Sequence, residues 1–148
     1  MSFSPGIQTI NELAAIQSTN TNIVPADITG FTFNLGAAKR LEFELRAVVT
    51  TGATGSFRFL AHCTVAPTVY NAEWQIVDET TPATFQDAQL AEVAFTNASA
   101  VATNYILTCR GCIVAAAATV FSMQFAQNNS TANNISINAG STFKIIQF

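Results

Sequence analysis

The sequence predicts an all-β fold, a sandwich or barrel of short antiparallel strands behind a short N-terminal arm. Three observations point there. From about residue 28 the apolar side chains recur at every second position, the period of a half-buried strand. Clusters of Thr, Gly, Asn and Ser interrupt that pattern at the short spacing of a sandwich or barrel. The aromatic content is twelve Phe against one Trp and two Tyr, and Phe suits a pleated, half-buried surface.

The arm comes first. In residues 4–18, "SPGIQTINELAAIQS", Ile7, Ile10, Leu13 and Ala14 fall at helical spacing. Ser4 is placed to cap, with Pro5 at the first helical position and Gly6 acting against it. "STNTN" at 18–22 then breaks the pattern as a polar linker. This predicts an arm over residues 1–24 with one short helix or turn, followed by a single β domain over 25–148.

The strands follow in order. "GFTFNL" (30–35) puts Phe31 and Phe33 on one face. "LEFELRAVV" (41–49) alternates Leu41, Phe43, Leu45 and Ala47 inward with Glu42, Glu44 and Arg46 outward. "TTGATG" (50–55) is a turn signal. "SFRFLAHCTV" (56–65) resumes with Phe57, Phe59, Ala61, Cys63 and Val65 inward. These two runs are expected to form a hairpin, with the Glu42, Glu44 and Arg46 face beside Arg58 and His62. Further strands are expected at 73–77, near 89–96, and at 104–109, 119–127, 134–138 and 141–148. The alanine run Ala115–Ala118 reads as a tight connection between two strands, because Ile113, Val114, Val120 and Phe121 around it favour strand.

With 148 residues the chain is long enough for one domain with a real core. Charged residues make up only 10%, against about 25% in a typical soluble domain. The net charge of −3 and the lack of a basic patch argue against nucleic acid as a partner. No apolar run reaches the roughly 18–20 residues of a membrane span, so no membrane partner is expected. The opening residues lack a charged n-region and an apolar h-region, and no signal peptide is read there.

Little in the chain points to chemistry. Cys63, Cys109 and Cys112 make no even framework, so free thiols are expected. "CRGC" has CxxC spacing, but the remaining candidate ligands for zinc, His62 and Cys63, are neighbours on a strand and point to opposite faces. The two thiols are expected around a turn at Arg110-Gly111. His62 is the single histidine and alternates in register with Arg58 on a polar face, as a solvated or ion-paired side chain does. Asp78-Glu79 before "TTP" reads as a wet loop, and Asp27 and Asp87 have no assigned place. The Asn-x-Ser/Thr sites at Asn97, Asn129 and Asn134 read as polar turns. No catalytic residue, metal ligand or cofactor is expected, and the chain is not expected to be an enzyme.

The last residues carry a resemblance. Met123-Gln124-Phe125-Ala126-Gln127-Asn128, then Ala139-Gly140-Ser141, then Phe143-Lys144-Ile145, look like the closing strands of small jelly-roll virion proteins of tailed bacteriophages, the head decoration or cement type. The "FTF" (31–33), "LEFEL" (41–45) and "FRF" (57–59) strands leading towards Trp74 are similar too. The resemblance covers residues 28–148 and implies a jelly-roll sandwich. Such proteins resemble the trimeric tumour-necrosis-factor and C1q-like jelly rolls, which implies a homotrimer. It implies a capsid decoration protein that bridges and stabilises a phage head, with the major capsid protein and its own copies as partners. The location implied is the capsid exterior of a virion, after synthesis in the host cytoplasm. Ile7, Ile10, Leu13 and Ile16 are the candidate capsid-contacting residues of the arm, which docks either on its own jelly roll or on a neighbour. Val120, Ser122, Gln124, Ala126 and Phe143 are the candidate trimer interface. The alternatives are a receptor- or glycan-binding tip of a tail or fibre, using Tyr70, Trp74 and Tyr105, and a minor capsid or spike protein of a non-tailed virus.

Overall fold

A computed structural model of the chain describes residues 6–19, 22–52, 56–78, 84–97, 104–128 and 134–148. All regular structure in these residues is strand. In chain order the strands are β1 (Ile7–Glu12), β2 (Gln17–Thr19), β3 (Ala26–Leu35), β4 (Arg40–Thr51), β5 (Phe57–Cys63), β6 (Val69–Asp78), β7 (Thr84–Gln89), β8 (Phe95–Asn97), β9 (Asn104–Val114), β10 (Thr119–Gln127), β11 (Ile135–Ile137) and β12 (Thr142–Gln147). Every pairing between them is antiparallel.

The pairing scheme follows one rule. Early strands pair with late strands in reverse order: β1 with β12, β3 with β10, β4 with β9, and β5 with β8. This long antiparallel ribbon is then rolled. Contact between β12 and β4 joins two of its pairs into one sheet, and contact between β10 and β5 joins the other two into a second. The result is a jelly-roll sandwich, as the resemblance implied. Its smaller sheet runs β3-β10-β5-β8 and its larger one β1-β12-β4-β9-β6-β7, with β2 and β11 extending the larger sheet beside β4. The β6–β7 hairpin adds to the outside of β9.

The core lies between the sheets, with aromatic rings meeting across it. Phe31 of the smaller sheet meets Phe143 of the larger at 5.5 Å between ring centroids. Phe121 lies 4.9 Å from Phe43 and 5.9 Å from Phe143. At the other end Phe57 packs against Tyr105, Phe59 against Trp74, and Trp74 stacks on Phe95 at 5.4 Å. Such pairs add about 0.5–1.5 kcal/mol each beyond the area they bury. Some polar side chains within this core are bonded, whereas the buried Gln127 amide on β10 has no hydrogen-bond partner among the described residues. The Trp74 indole N–H donates to Gln89 Oε1 at 3.0 Å, and Gln89 donates in turn to Asp87 at 3.0 Å. The Tyr70 hydroxyl donates to the Ala61 carbonyl, which ties β6 to β5 across the sandwich.

Three expectations are corrected. Residues 7–19 form strands β1 and β2 and no helix. Ile7 and Ile10 mimic a helical stripe, but β12 offers an unpaired edge, and six consecutive residues of β1 register along it. A free backbone edge outweighs a weak local preference. The runs at 41–49 and 56–65 form no hairpin either. They lie in different sheets, β4 in the larger and β5 in the smaller, so Arg58 and His62 do not stand beside Glu42 and Glu44. Strand period is a local signal, whereas partner choice is set by the roll. Finally, "CRGC" is no turn. It lies in mid-strand β9, where the odd separation of Cys109 and Cys112 sends them to opposite faces.

The alanine connection behaves as read. Residues 115–118 link β9 in the larger sheet to β10 in the smaller. Ala115 exchanges backbone hydrogen bonds with Ala38 and Lys39 in the β3–β4 crossover, so small side chains let two crossovers lie against each other. Closest approach elsewhere is at Gly111, on the inward parity of β9. A Cβ there would sit 2.0 Å from the Asn71 carbonyl oxygen and 2.6 Å from the Phe43 ring. Backbone cannot yield as a side-chain tip does. Gly111→Ala is therefore expected to lower Tm by roughly 5–10 °C, an overpacking cost of about 2–3 kcal/mol. Gly36→Ala, whose Cβ would meet only the Lys39 side chain at 3.4 Å, is expected to melt like the parent. Thermal melting by circular dichroism checks both.

Candidate interaction surfaces

The groups that most resemble a catalytic constellation sit on the outer face of the smaller sheet. His62 Nδ1 lies 2.5 Å from Glu92 Oε1, and the other Glu92 oxygen accepts the Cys63 backbone N–H at 3.1 Å. Ser122 is the cross-strand neighbour of His62. Its hydroxyl, however, donates to Asp27 Oδ1 at 2.6 Å, and the residue is 2% exposed. Gln124 donates to the same Asp27 oxygen at 2.9 Å. His62–Glu92 and Ser122–Asp27–Gln124 are two separate hydrogen-bonded sets, and the Ser122 hydroxyl is held away from solvent. Sequence reading placed His62 on a polar face but missed Glu92. A carboxylate in a connection has no period to reveal where it folds. Glu79 and the sites at Asn129 lie outside the described residues.

The three thiols are free. Cys63 and Cys109 are buried among apolar side chains, and Cys112 is half-buried on the outer face of the larger sheet. Among the described residues no three His, Cys, Asp or Glu side chains are grouped to hold a metal ion.

The residues singled out from sequence fall in several places. Of the arm, Leu13 packs into the chain's own core. Ile7, Ile10 and Ile16 are 69%, 58% and 63% exposed, and Ile23 and Val24 follow them at the surface. Five of the ten large apolar side chains exposed among the described residues thus come from residues 7–24. Ile7 and Ile10 lie on β1, the edge strand of the larger sheet, Ile16 just before β2, and Ile23 and Val24 just before β3. Side-chain hydrogen bonds hold that edge to β3, from Asn11 to the Gly30 carbonyl and from Gln17 to the backbone of Asp27 and Thr29.

The candidate trimer residues are also divided. Phe143 is fully inside the sandwich, between Phe31 and Phe121, because its parity on β12 points inward, so it offers no surface to a partner. Val120, Ser122, Gln124 and Ala126 do share the outward parity of β10. Ser122 and Ala126 are already buried within the chain, which leaves Val120 and Gln124 half-exposed. Tyr70, Trp74 and Tyr105, the rings considered for a receptor or glycan site, are all buried in the core.

Charge collects elsewhere. The outer face of the larger sheet holds Glu12, Arg40, Glu42, Glu44, Arg46, Glu73, Arg110 and Lys144. These are four of the chain's six Lys and Arg and four of its nine Asp and Glu. At its centre is a hollow of about 500 Å³ floored by Phe43 and Gly111 and walled by Glu42, Glu44, Glu73, Arg110, Cys112 and Lys144. Alternation showed which residue of each strand faces out. It did not show that β12, β4, β9 and β6 lie side by side.

Burial pushes the Cys63 thiol up to about 12, with the nearby Glu92 charge adding to the shift. Burial likewise raises Cys109 and Tyr70. Each is held neutral in the fold and ionises more easily once exposed, so the fold loses stability as pH rises from about 9 towards 12. Tm is expected to fall steeply over that window and less steeply in Cys63→Ala/Cys109→Ala. In the native protein at pH 8, a thiol reagent is expected to modify Cys112 quickly and the other two only after denaturation.

No family model matches the chain, and no curated protein matches it. Among solved structures, 96% of the chain aligns with 41% of a chain in the structure of infectious bursal disease virus Gt strain, at 9% identity and a TM-score of 0.25. For infectious bursal disease virus Gx strain the figures are 97%, 41%, 10% and 0.21. The chain spans about two fifths of the length of either, and at this distance the likeness carries no argument about function.

Proposed function

We propose that this chain is a viral structural protein, a decoration or cement protein that binds the outside of a phage head as a homotrimer. The observation that carries the reading is the apolar edge of residues 7–24. Ile7 and Ile10 stand in solvent on β1, which is paired on its other side, and Ile16 stands in solvent just before β2. Singly exposed apolar residues are ordinary, but five along one edge mark a contact surface. An exposed edge strand with branched aliphatic side chains is also an open template for another chain's backbone. The major capsid protein is the partner that fits a cement role. The jelly-roll roll-up and the resemblance of residues 28–148 support the setting. Trimerisation rests on that resemblance, with Val120 and Gln124 as its accessible outward residues on β10.

Removing residues 1–24 would strip two strands and Leu13 from the fold, so point substitutions are the cleaner test. Ile7→Ser/Ile10→Ser/Ile16→Ser is expected to melt like the parent, since these side chains are exposed, and to co-sediment at least tenfold more weakly with heads lacking the native protein. Unchanged co-sedimentation would remove the edge from the mechanism. Light scattering is expected to give about 47 kDa, three times the 15.7 kDa chain, in moderate salt. A 15.7 kDa species there would restrict any trimer to the capsid surface.

A further inference from the structure

A row of alternating charge crosses the outer face of the larger sheet. Register sets Lys144 of β12 beside Glu44 of β4, Glu44 beside Arg110 of β9, and Arg110 beside Glu73 of β6. All four carry the outward parity of their strands, and Glu44, Arg110 and Glu73 are exposed. No ion pair within 4.0 Å joins any two of them. The charges alternate in sign yet are not consumed within the chain.

Such a row has a particular symmetry. Read backwards, plus-minus-plus-minus becomes minus-plus-minus-plus, its own complement. A half-turn about an axis lying in the interface, parallel to the strands and between β4 and β9, reverses the row. Lys144 then faces Glu73 of the second copy, and Glu44 faces its Arg110. The rows on either side bring no like charges together under the same rotation: Glu42 meets Cys112, and Arg46 meets Thr108. A half-turn about an axis along the row would instead set every charge against itself. The face therefore selects one of the two orientations.

We propose that this face is a self-association surface whose occupant is a second copy of the chain, related by the two-fold axis parallel to the strands. Self-complementarity is what a two-fold interface requires. The patch spans four strands over the length of β4 and β9, on the order of 700 Å² at sheet spacings, close to the ~800 Å² per partner of a standard interface. Twisted sheets stack face to face with nearly aligned strands, so the geometry is an ordinary one. The long charged side chains of each copy enter the hollow over Phe43 and Gly111 of the other. Complementary charge sets the register and the encounter more than the affinity. This contact does not depend on the virion reading, and it leaves the smaller sheet uncovered.

A charge swap tests it. Light scattering of the full chain at low salt is expected to give twice the mass found at 1 M salt, where the screening length is about 3 Å. Glu44→Arg and Arg110→Glu, each checked by circular dichroism for an unchanged fold, are each expected to give the high-salt mass even at low salt. Mixed in equal amounts they are expected to regain the doubled mass, because each substituted position then meets its opposite. Lys144→Glu and Glu73→Lys provide a second pair with the same readout should either of the first fail to fold. One mass at all salts for the parent, doubled mass in the single variants, or a mixture that stays at the high-salt mass would each overturn the proposal. Trimerisation through the smaller sheet uses a different surface and would survive any of these results.

Discussion

The whole structure depends on rings meeting across the gap between two sheets. No disulfide joins the described strands, and the sheets share no ladder, so the contacts that hold one layer to the other are side chains. Phe31 and Phe121 reach from one side to Phe143 and Phe43 on the other, and Phe57, Phe59 and Phe95 reach to Tyr105 and Trp74. Large rings fill a layer about 10 Å thick with few residues per strand. They also fix the parity of every strand they stand on. Once Phe43 points inward, Glu42 and Glu44 must point out, and once Phe121 points inward, Ser122 must face the other way. Surface chemistry in this protein is thus a consequence of core packing.

Much of that parity was legible in the sequence. Residues 41–47 alternate without error, and each predicted inward residue among Leu41, Phe43, Leu45 and Ala47 is buried. Residues 57–63 read equally well. What the sequence hid was pairing. The turn signal at 50–55 is the same whether the chain reverses beside itself or crosses to another layer, and the distant strand β9 decides which. The arm misled for a related reason. Three-residue spacing of Ile7 and Ile10 fits a helix face, but a strand displays the same residues on its two sides, and only the free edge of β12 distinguishes them. Of the candidate surfaces, the exposed arm residues were named in advance. The charged row was not, because it exists only after four distant segments are aligned.

The charge-poor C-terminal fifth of the chain, residues 119–148, has a cause within the chain. β10 lies between β3 and β5, β12 between β1 and β4, and β11 between β2 and β4. All three are interior strands, with one face on the core and both edges paired. Only their outward parity can carry charge, and there Lys144 is the sole charged side chain in the described residues. The scarcity of charge there is met by neighbours of the same chain. The surfaces left for partners are then of two kinds: an apolar edge fed by residues 7–24, and a charged face of net neutrality. A protein so divided can meet unlike neighbours on different sides.

The reverse-order pairing has a consequence for how the chain must be made. None of β1 to β5 pairs with another of those five; their partners are β8 to β12, all beyond residue 94. A nascent chain therefore carries its first five strands with open edges until the later ones have left the ribosome. Long loops must close before any of these ladders can form, which makes such topologies slow to fold and exposed to aggregation while they wait. The Phe-rich strands would be the exposed segments in that interval. Low overall charge gives them little protection, so strand closure competes with self-capture of unfinished chains.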